Sequence, residues 1–162
     1  MAPYAPGANT PPARSLPLAC RWQVPIIQQT VSKLTLKALK ILVVDDEPNI
    51  LMSLEFLMKK SGFEVFIARN GHEALNIIRK EKPGIVILDI MMPDLDGYAI
   101  CSYIRQESPI PEAKVVFLSA KSKTADIEKG YGAGADRYIT KPFSTRKLIE
   151  EVKELATAHN NN

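Results

Sequence analysis

From Lys40 onward, short apolar runs alternate with amphipathic stretches of roughly 10 to 15 residues, and this alternation limits the fold more than any other feature of the chain. The runs are Lys40 to Val44, Glu64 to Ala68, Ile85 to Leu88, Lys114 to Leu118 and Arg137 to Thr140. The first, third and fourth are unbroken and rich in Val and Ile, as strands covered on both faces must be. They are expected at the centre of a sheet. The second and fifth are more polar and suit its edges. No run approaches the about 18 apolar residues of a membrane-spanning helix, so membrane insertion is not expected.

The stretches between the runs carry helix signals. Pro48 suits a first helical position and Gly62 a left-handed cap, which predicts a helix over 48–61 with Ile50, Leu51, Leu54, Leu57 and Met58 inward. A second spans His72 to Glu81, capped at Asn70 or Gly71, with Ala74, Leu75 and Ile78 inward and Pro83 beyond its end. A third covers Gly97 to Glu107. A fourth, Thr124 to Tyr131, is weak, because Gly130, Gly132 and Gly134 crowd its end. The fifth starts after Ser144 or Thr145 and aligns Leu148, Ile149, Val152 and Leu155. Five βα units predict an α/β fold: a doubly wound, five-stranded parallel sheet of strand order 2-1-3-4-5 with helices on both faces.

Residues 1–39 have a different texture. Six of the 12 prolines fall within the first 25 residues, without helical or strand periodicity, so the segment reads as a disordered extension. Pro17, Arg21 and Pro25 interrupt every candidate signal-peptide core, and the segment lacks the serines and basic amphipathic helix of an organellar transit peptide. No Met lies between Met1 and Met52, which leaves no internal Met start before the domain. Residues 26–40 alternate loosely and suit a short helix or arm. Residues 1–40 carry five cations and no acid; the chain's net +3 therefore leaves −2 for residues 41–162, which lack a nucleic-acid footprint. Five charges over 40 residues are too dilute to make the extension a binder of nucleic acid or anionic membrane. Cys20 and Cys101 stand far apart without metal-ligand spacing, so both are expected as unpaired thiols in the cytoplasm. Residues 159–162 read as a disordered tail.

In an open parallel sheet the ligand crevice lies beyond the carboxyl ends of the strands, so the informative residues are those that follow each run. Asp45 and Asp46 follow the first, Asp89 the third, Ser119 the fourth and Lys141 the fifth. Three carboxylates on one edge repel one another unless a divalent cation neutralises them, and an all-oxygen set with room for water suits Mg²⁺ and not zinc. Taken singly, Asp45, Asp46 or Ser119 could cap a helix, and Lys141 could be a solvated loop charge. Their conjunction at consecutive strand ends favours a site.

The segments Ile41-Leu-Val-Val-Asp-Asp-Glu-Pro48, Ile87-Leu-Asp-Ile-Met-Met-Pro-Asp-Leu-Asp-Gly97, Val116-Phe-Leu-Ser-Ala120 and Asp136-Arg-Tyr-Ile-Thr-Lys-Pro-Phe143 resemble the response regulator receiver domain of two-component signalling. The likeness spans residues 40–156 and implies a flavodoxin-like domain over 40–158. By that resemblance Asp89 accepts a phosphoryl group from a phosphohistidine on a sensor histidine kinase or phosphotransfer protein. Asp46, Asp89 and the backbone carbonyl of Met91 bind Mg²⁺, with Asp45 acting through water. Lys141 pairs with phosphoryl oxygens and Ser119 donates its hydroxyl to one of them. Ser119 and Tyr138 form the switch; an edge-strand Tyr with its hydroxyl in water is the plainer reading of Tyr138. The face of fourth helix, fifth strand and fifth helix carries the output to an unidentified downstream protein. Met91 and Lys121 occupy the positions that tune the phosphorylated lifetime, and Met91, unable to orient water, points to slow autodephosphorylation. The Lys141-Pro142 peptide is expected to be cis. Asp94 and Asp96 read as solvent-facing loop residues, with Gly97 opening the third helix.

Only His159 and three asparagines follow the fifth helix, so no output domain, direct DNA binding or transcriptional activity is expected from this chain. A phosphatase with an aspartate nucleophile needs an Asp-x-Asp pair after the first strand, which Asp45-Asp46 lacks. A receiver-like scaffold that binds partners without phosphorylation is the remaining alternative.

Overall fold

The three Val- and Ile-rich runs do take the interior of the sheet. The computed structural model describes residues 39–160. The Pro-rich extension up to residue 38, Cys20 within it, and residues 161 and 162 lie outside the described residues. The elements in chain order are β1 (Lys40–Val44), α1 (Pro48–Lys60), β2 (Glu64–Ala68), α2 (Gly71–Glu81), β3 (Ile85–Asp89), α3 (Gly97–Gln106), β4 (Lys114–Ser119), α4 (Thr124–Gly132), β5 (Arg137–Thr140) and α5 (Thr145–Asn160). All five strands are parallel, in the order β2-β1-β3-β4-β5. The more polar β2 and β5 form the edges, as their composition predicts.

Alternate side chains of each strand enter two separate cores. Ile41, Val43, Ile85, Ile87, Val116 and Leu118 pack under α1 and α5. Leu42, Val44, Val86, Leu88, Val115 and Phe117 pack on the opposite face with α2 and α3. Burying each such side chain is worth about 1.5–3 kcal/mol, which stabilises the strands against the entropy of ordering them.

Local signals explain the helix ends. Pro48 opens α1, and Gly62 just beyond it adopts φ +94°. Asn70 caps α2 by accepting from the Glu73 amide, while the Glu73 carboxylate accepts from the amide of Arg69, one residue before the cap. Ser144 caps α5, its hydroxyl and carbonyl accepting from the Lys147 and Leu148 amides.

Several boundaries and one face need correction. Leu39, placed in the extension, is buried in the core under α1 and α5. His159 and Asn160, assigned to a tail, are the last residues of α5. β3 and β4 each run one residue further than the apolar runs and so include Asp89 and Ser119. On α2 Ala74 and Ile78 are buried as expected, and of the two half-buried residues Leu75 and Ile77 it is Ile77 that packs against the core. The helix ends on Lys82 at φ +50°, a left-handed turn made by a non-glycine residue immediately before Pro83.

Candidate functional site

The strand register assembles the site. Val44 pairs with Leu88, so Asp45 and Asp89 emerge side by side from β1 and β3. Asp89 pairs with Leu118, which sets Ser119 one residue beyond it on β4. Ser119 in turn pairs with Thr140, and the Lys141 amide donates to the Ser119 carbonyl at 2.8 Å. The Lys141-Pro142 peptide is cis. Four strand ends, separated by as much as 96 residues of chain, thus meet at one edge.

Carboxylate oxygens of Asp45, Asp46 and Asp89 all lie within 4.8 Å of one another. The Lys141 ammonium reaches them from β5, at 2.8 Å from Asp45 Oδ2 and 3.6 Å from Asp89 Oδ2, with its side chain only 15% exposed. Three negative charges and one positive charge leave the cluster near −2 when ionised, which is the charge of one divalent cation with the sign reversed. The donors are oxygens only, a set suited to Mg²⁺.

The electrostatics follow from this crowding. Burial pushes the Asp89 carboxyl above the usual carboxylate range; Lys141 and the Met91 amide pull it down, Asp45 and Asp46 push it up, and the balance is upward. For Lys141, burial works against the ammonium. Its hydrogen bond to Asp45 and the charges of Asp45, Asp89 and Glu47 outweigh that and hold it above an ordinary lysine.

The plainer readings of these residues do not fit their contacts. α1 is capped at Glu47 without a side-chain bond, so neither Asp45 nor Asp46 caps it. Asp45 is buried with both oxygens engaged, Oδ1 by the Glu47 amide at 2.9 Å and Oδ2 by Lys141, while Asp46 is exposed. α4 is capped at Lys123, so Ser119 does not cap it. Lys141 is a half-buried ion-pair partner and not a solvated loop charge.

Ser119 and Tyr138 are joined through one residue. Ser119 Oγ accepts from the Lys121 amide at 3.1 Å, and the Tyr138 hydroxyl donates to the Lys121 carbonyl at 3.0 Å. Tyr138 is half-buried, its ring edge-on to Phe117 at 6.1 Å and pressed against Gly130, where a Cβ would come within 2.6 Å of the ring. Its hydroxyl is therefore bonded to protein, which corrects the picture of a phenol in water.

Residues whose contacts could not be read from the sequence surround this core. Gly97 opens α3, and a Cβ there would lie 2.5 Å from the Asp89 carbonyl oxygen, so only glycine lets the helix approach the strand end. Asp96 caps α3 through the Ala99 amide. Asp94 is exposed yet bonded, its carboxylate accepting from the amides of Gly71 and His72 at the start of α2. Tyr98 stands edge-on to Phe117 at 5.4 Å and donates to the Asp126 carbonyl of α4. The Asp at a strand end and the Gly after a loop are visible in a sequence; bonds to backbone amides and carbonyls elsewhere in the chain leave no mark on residue type.

Comparison with known proteins agrees with this geometry. A family model described as the response regulator receiver domain matches residues 41–153. Among solved structures, the BeF3-activated receiver domain of DrrB, a Thermotoga maritima OmpR/PhoB homolog, is similar at 38% identity and TM-score 0.68, over 74% of this chain and 97% of that one. The Francisella response regulator 1452 receiver domain is 33% identical, with TM-score 0.69 and coverage of 74% and 97%. A CheY-like receiver protein from Methanospirillum hungatei is 30% identical, with TM-score 0.71 and coverage of 76% and 97%. The chain belongs to the response regulator receiver domain family. It is thus a signalling domain of the two-component type and not an enzyme in the usual sense. Among the described residues, no helix is long and apolar enough to cross a membrane.

Proposed function

We propose that this protein is a phosphorylation-dependent switch in which Asp89 is the phosphoacceptor, served by a sensor histidine kinase or a phosphotransfer protein in the cytoplasm. The observation that carries this reading is the cluster of three carboxylates bridged by Lys141 at the strand ends. Phosphoryl transfer asks little covalent chemistry of a protein and much charge neutralisation. An Asp89 carboxylate oxygen attacks phosphorus, and the phosphorus–nitrogen bond of the donor histidine breaks. Its electron pair leaves on the imidazole, which takes up a proton from water. Small phosphodonors such as acetyl phosphate serve the same site.

Asp46, Asp89 and the carbonyl of Met91 would hold Mg²⁺, which would supply neutralisation of the charge on the phosphoryl oxygens. Asp45, whose oxygens already bind Lys141 and the Glu47 amide, acts through water. Lys141 pairs with the phosphoryl group. Ser119 uses its oxygen as an acceptor and so keeps its proton to donate to a phosphoryl oxygen. Because Lys121 bonds Ser119 through its amide and Tyr138 through its carbonyl, a shift of Ser119 is passed directly to Tyr138 and hence to Gly130 of α4. The α4-β5-α5 face then changes its affinity for a downstream protein partner.

Met91 is 57% exposed and apolar, so it cannot orient an attacking water, and the phosphorylated state is slow to hydrolyse. Lys121 is the second lifetime position. Intact mass spectrometry after incubation with Mg²⁺ and acetyl phosphate tests the reading. One phosphoryl adduct forms on the native chain and none on Asp89→Ala, and a Met91→Asn variant loses its adduct faster than the native protein. A folded native chain that gains no adduct, even from a phosphorylated kinase, is instead a scaffold that binds partners without phosphorylation.

A further inference from the structure

Met91 presents a difficulty for any site that uses its carbonyl. Its side chain is 57% exposed and apolar and so makes no hydrogen bond to fix the peptide, which leaves the orientation of that carbonyl to neighbouring residues of the β3-α3 loop. On one side the Met91 amide donates to Asp89 Oδ1 at 3.3 Å, and the Gly97 amide closes the loop on the Ile90 carbonyl at 3.1 Å. These bonds fix the two ends. The middle is held sideways, from another element. Asp94 accepts from the Gly71 amide, at 3.3 Å to Oδ1 and 3.0 Å to Oδ2, and from the His72 amide at 3.4 Å to Oδ2.

The two segments are shaped for this contact. A Cβ on Gly71 would fall 2.5 Å from Leu95 Cβ, so glycine is what lets the first turn of α2 reach the loop. The first amides of a helix lack intrahelical acceptors and carry the positive end of its dipole, which makes a carboxylate their natural partner. Burial pushes the Asp94 carboxyl up, but its bonds to backbone amides prevail and hold it below the usual range, as expected of a charge in use. α2 already has a side-chain cap of its own in Asn70. Asp94 is therefore not needed to start the helix.

We infer that Asp94 is a positioning residue for the cation site: anchored on the Gly71 and His72 amides, it holds the loop in the arrangement that offers the Met91 carbonyl beside Asp46 and Asp89. The inference rests on the reading of those carboxylates as a Mg²⁺ site. Because the anchor lies three residues from Met91 and touches no metal-binding atom, it acts through the backbone alone.

The test is Mg²⁺ titration calorimetry on the full-length chain, with melting temperatures recorded in EDTA, for the native protein and for Asp94→Ala, Asp94→Asn and Asn70→Ala. The expected result is that Asp94→Ala weakens Mg²⁺ binding by about tenfold, the low end for loss of a group behind the ligands. Asp94→Asn, which keeps one acceptor oxygen, falls between. Asn70→Ala lowers the melting temperature by loosening the start of α2 but leaves Mg²⁺ affinity as in the native chain. Unchanged affinity in a folded Asp94→Ala protein, or equal weakening in Asn70→Ala, overturns the inference while the cation site stands. A native chain that binds no Mg²⁺ overturns the site reading, and the inference with it.

Discussion

α3 and α4 follow successive strands and lie on the same side of the sheet, yet they are held by different forces. α3 buries Tyr98, Ile100, Cys101 and Ile104 in the core, whereas the buried residue of α4 is Gly130. What ties down α4 and the turn that follows it, Ala133 and Gly134, is a set of directional bonds from one stripe of α3. Tyr98 donates to the Asp126 carbonyl at 3.3 Å, Cys101 Sγ to the Ala133 carbonyl at 3.3 Å, and Arg105 to the Gly134 carbonyl at 2.9 and 2.7 Å. The donors are spaced three and four residues apart, as neighbours on one helix face must be. Lys129 adds a cation over the Tyr98 ring at 4.3 Å. Apolar burial fixes a helix in proportion to area and resists displacement; a few hydrogen bonds, each of about 0.5–1.5 kcal/mol, can be exchanged for others. α4 is the helix that can be moved without opening the core, and it is the one in contact with Tyr138.

The sharpest way to break this comparison is to truncate one apolar residue on each helix. Ile100→Ala should cost about 2–5 kcal/mol in chemical denaturation, the range for a fully buried aliphatic side chain, whereas Ile127→Ala, half-buried on α4, should cost under about 1 kcal/mol. Equal losses would mean that α4 is held by its apolar contacts after all. Next in size is Arg105→Met, which removes bonds to Gly134, Pro111, Ala113 and Asp136 while keeping the aliphatic stem. It should cost about 1–3 kcal/mol and raise hydrogen exchange in residues 133–136 before exchange in α3 changes. Smallest is Tyr98→Phe, at about 0.5–1.5 kcal/mol near neutrality. Its effect depends on pH in a defined direction. Burial pushes the Tyr98 phenol from 10.0 up to about 12, so its stabilising bond is fully present below pH 10 and is lost as pH rises towards 12. The native protein should therefore lose more stability across that interval than Tyr98→Phe.

The parts of the site that could be read from the sequence share one property. A strand buried on both faces must be a continuous apolar run, and the first polar residue beyond it marks the sheet edge; Asp45, Asp89 and Ser119 announce themselves this way, whereas Lys141 follows the polar edge strand β5. Leu75 and Ile77 were harder to tell apart, since both suit an inward face at helical spacing and a modest rotation of α2 decides between them. His159 follows the last apolar residues of α5, and its helical state comes from the backbone bonds of a helix already formed, not from its own preference. Asp94 reads as a loop charge in the sequence because its partners are amides 23 and 22 residues away, and every residue but proline has an amide.

The sequence by itself determined the βα alternation, the edge and centre strands, the acidic cluster with its lysine, and the glycine-rich weakness of α4. These are local, because periodicity and strand ends are properties of consecutive residues. Tertiary structure alone decided that Lys141 binds Asp45 more closely than Asp89, that Lys121 joins Ser119 to Tyr138 through its two peptide groups, and that α3 bonds α4 and the turn after it through backbone carbonyls. Those contacts depend on register and packing between distant segments, and the backbone groups that accept them are the same whatever the side chain.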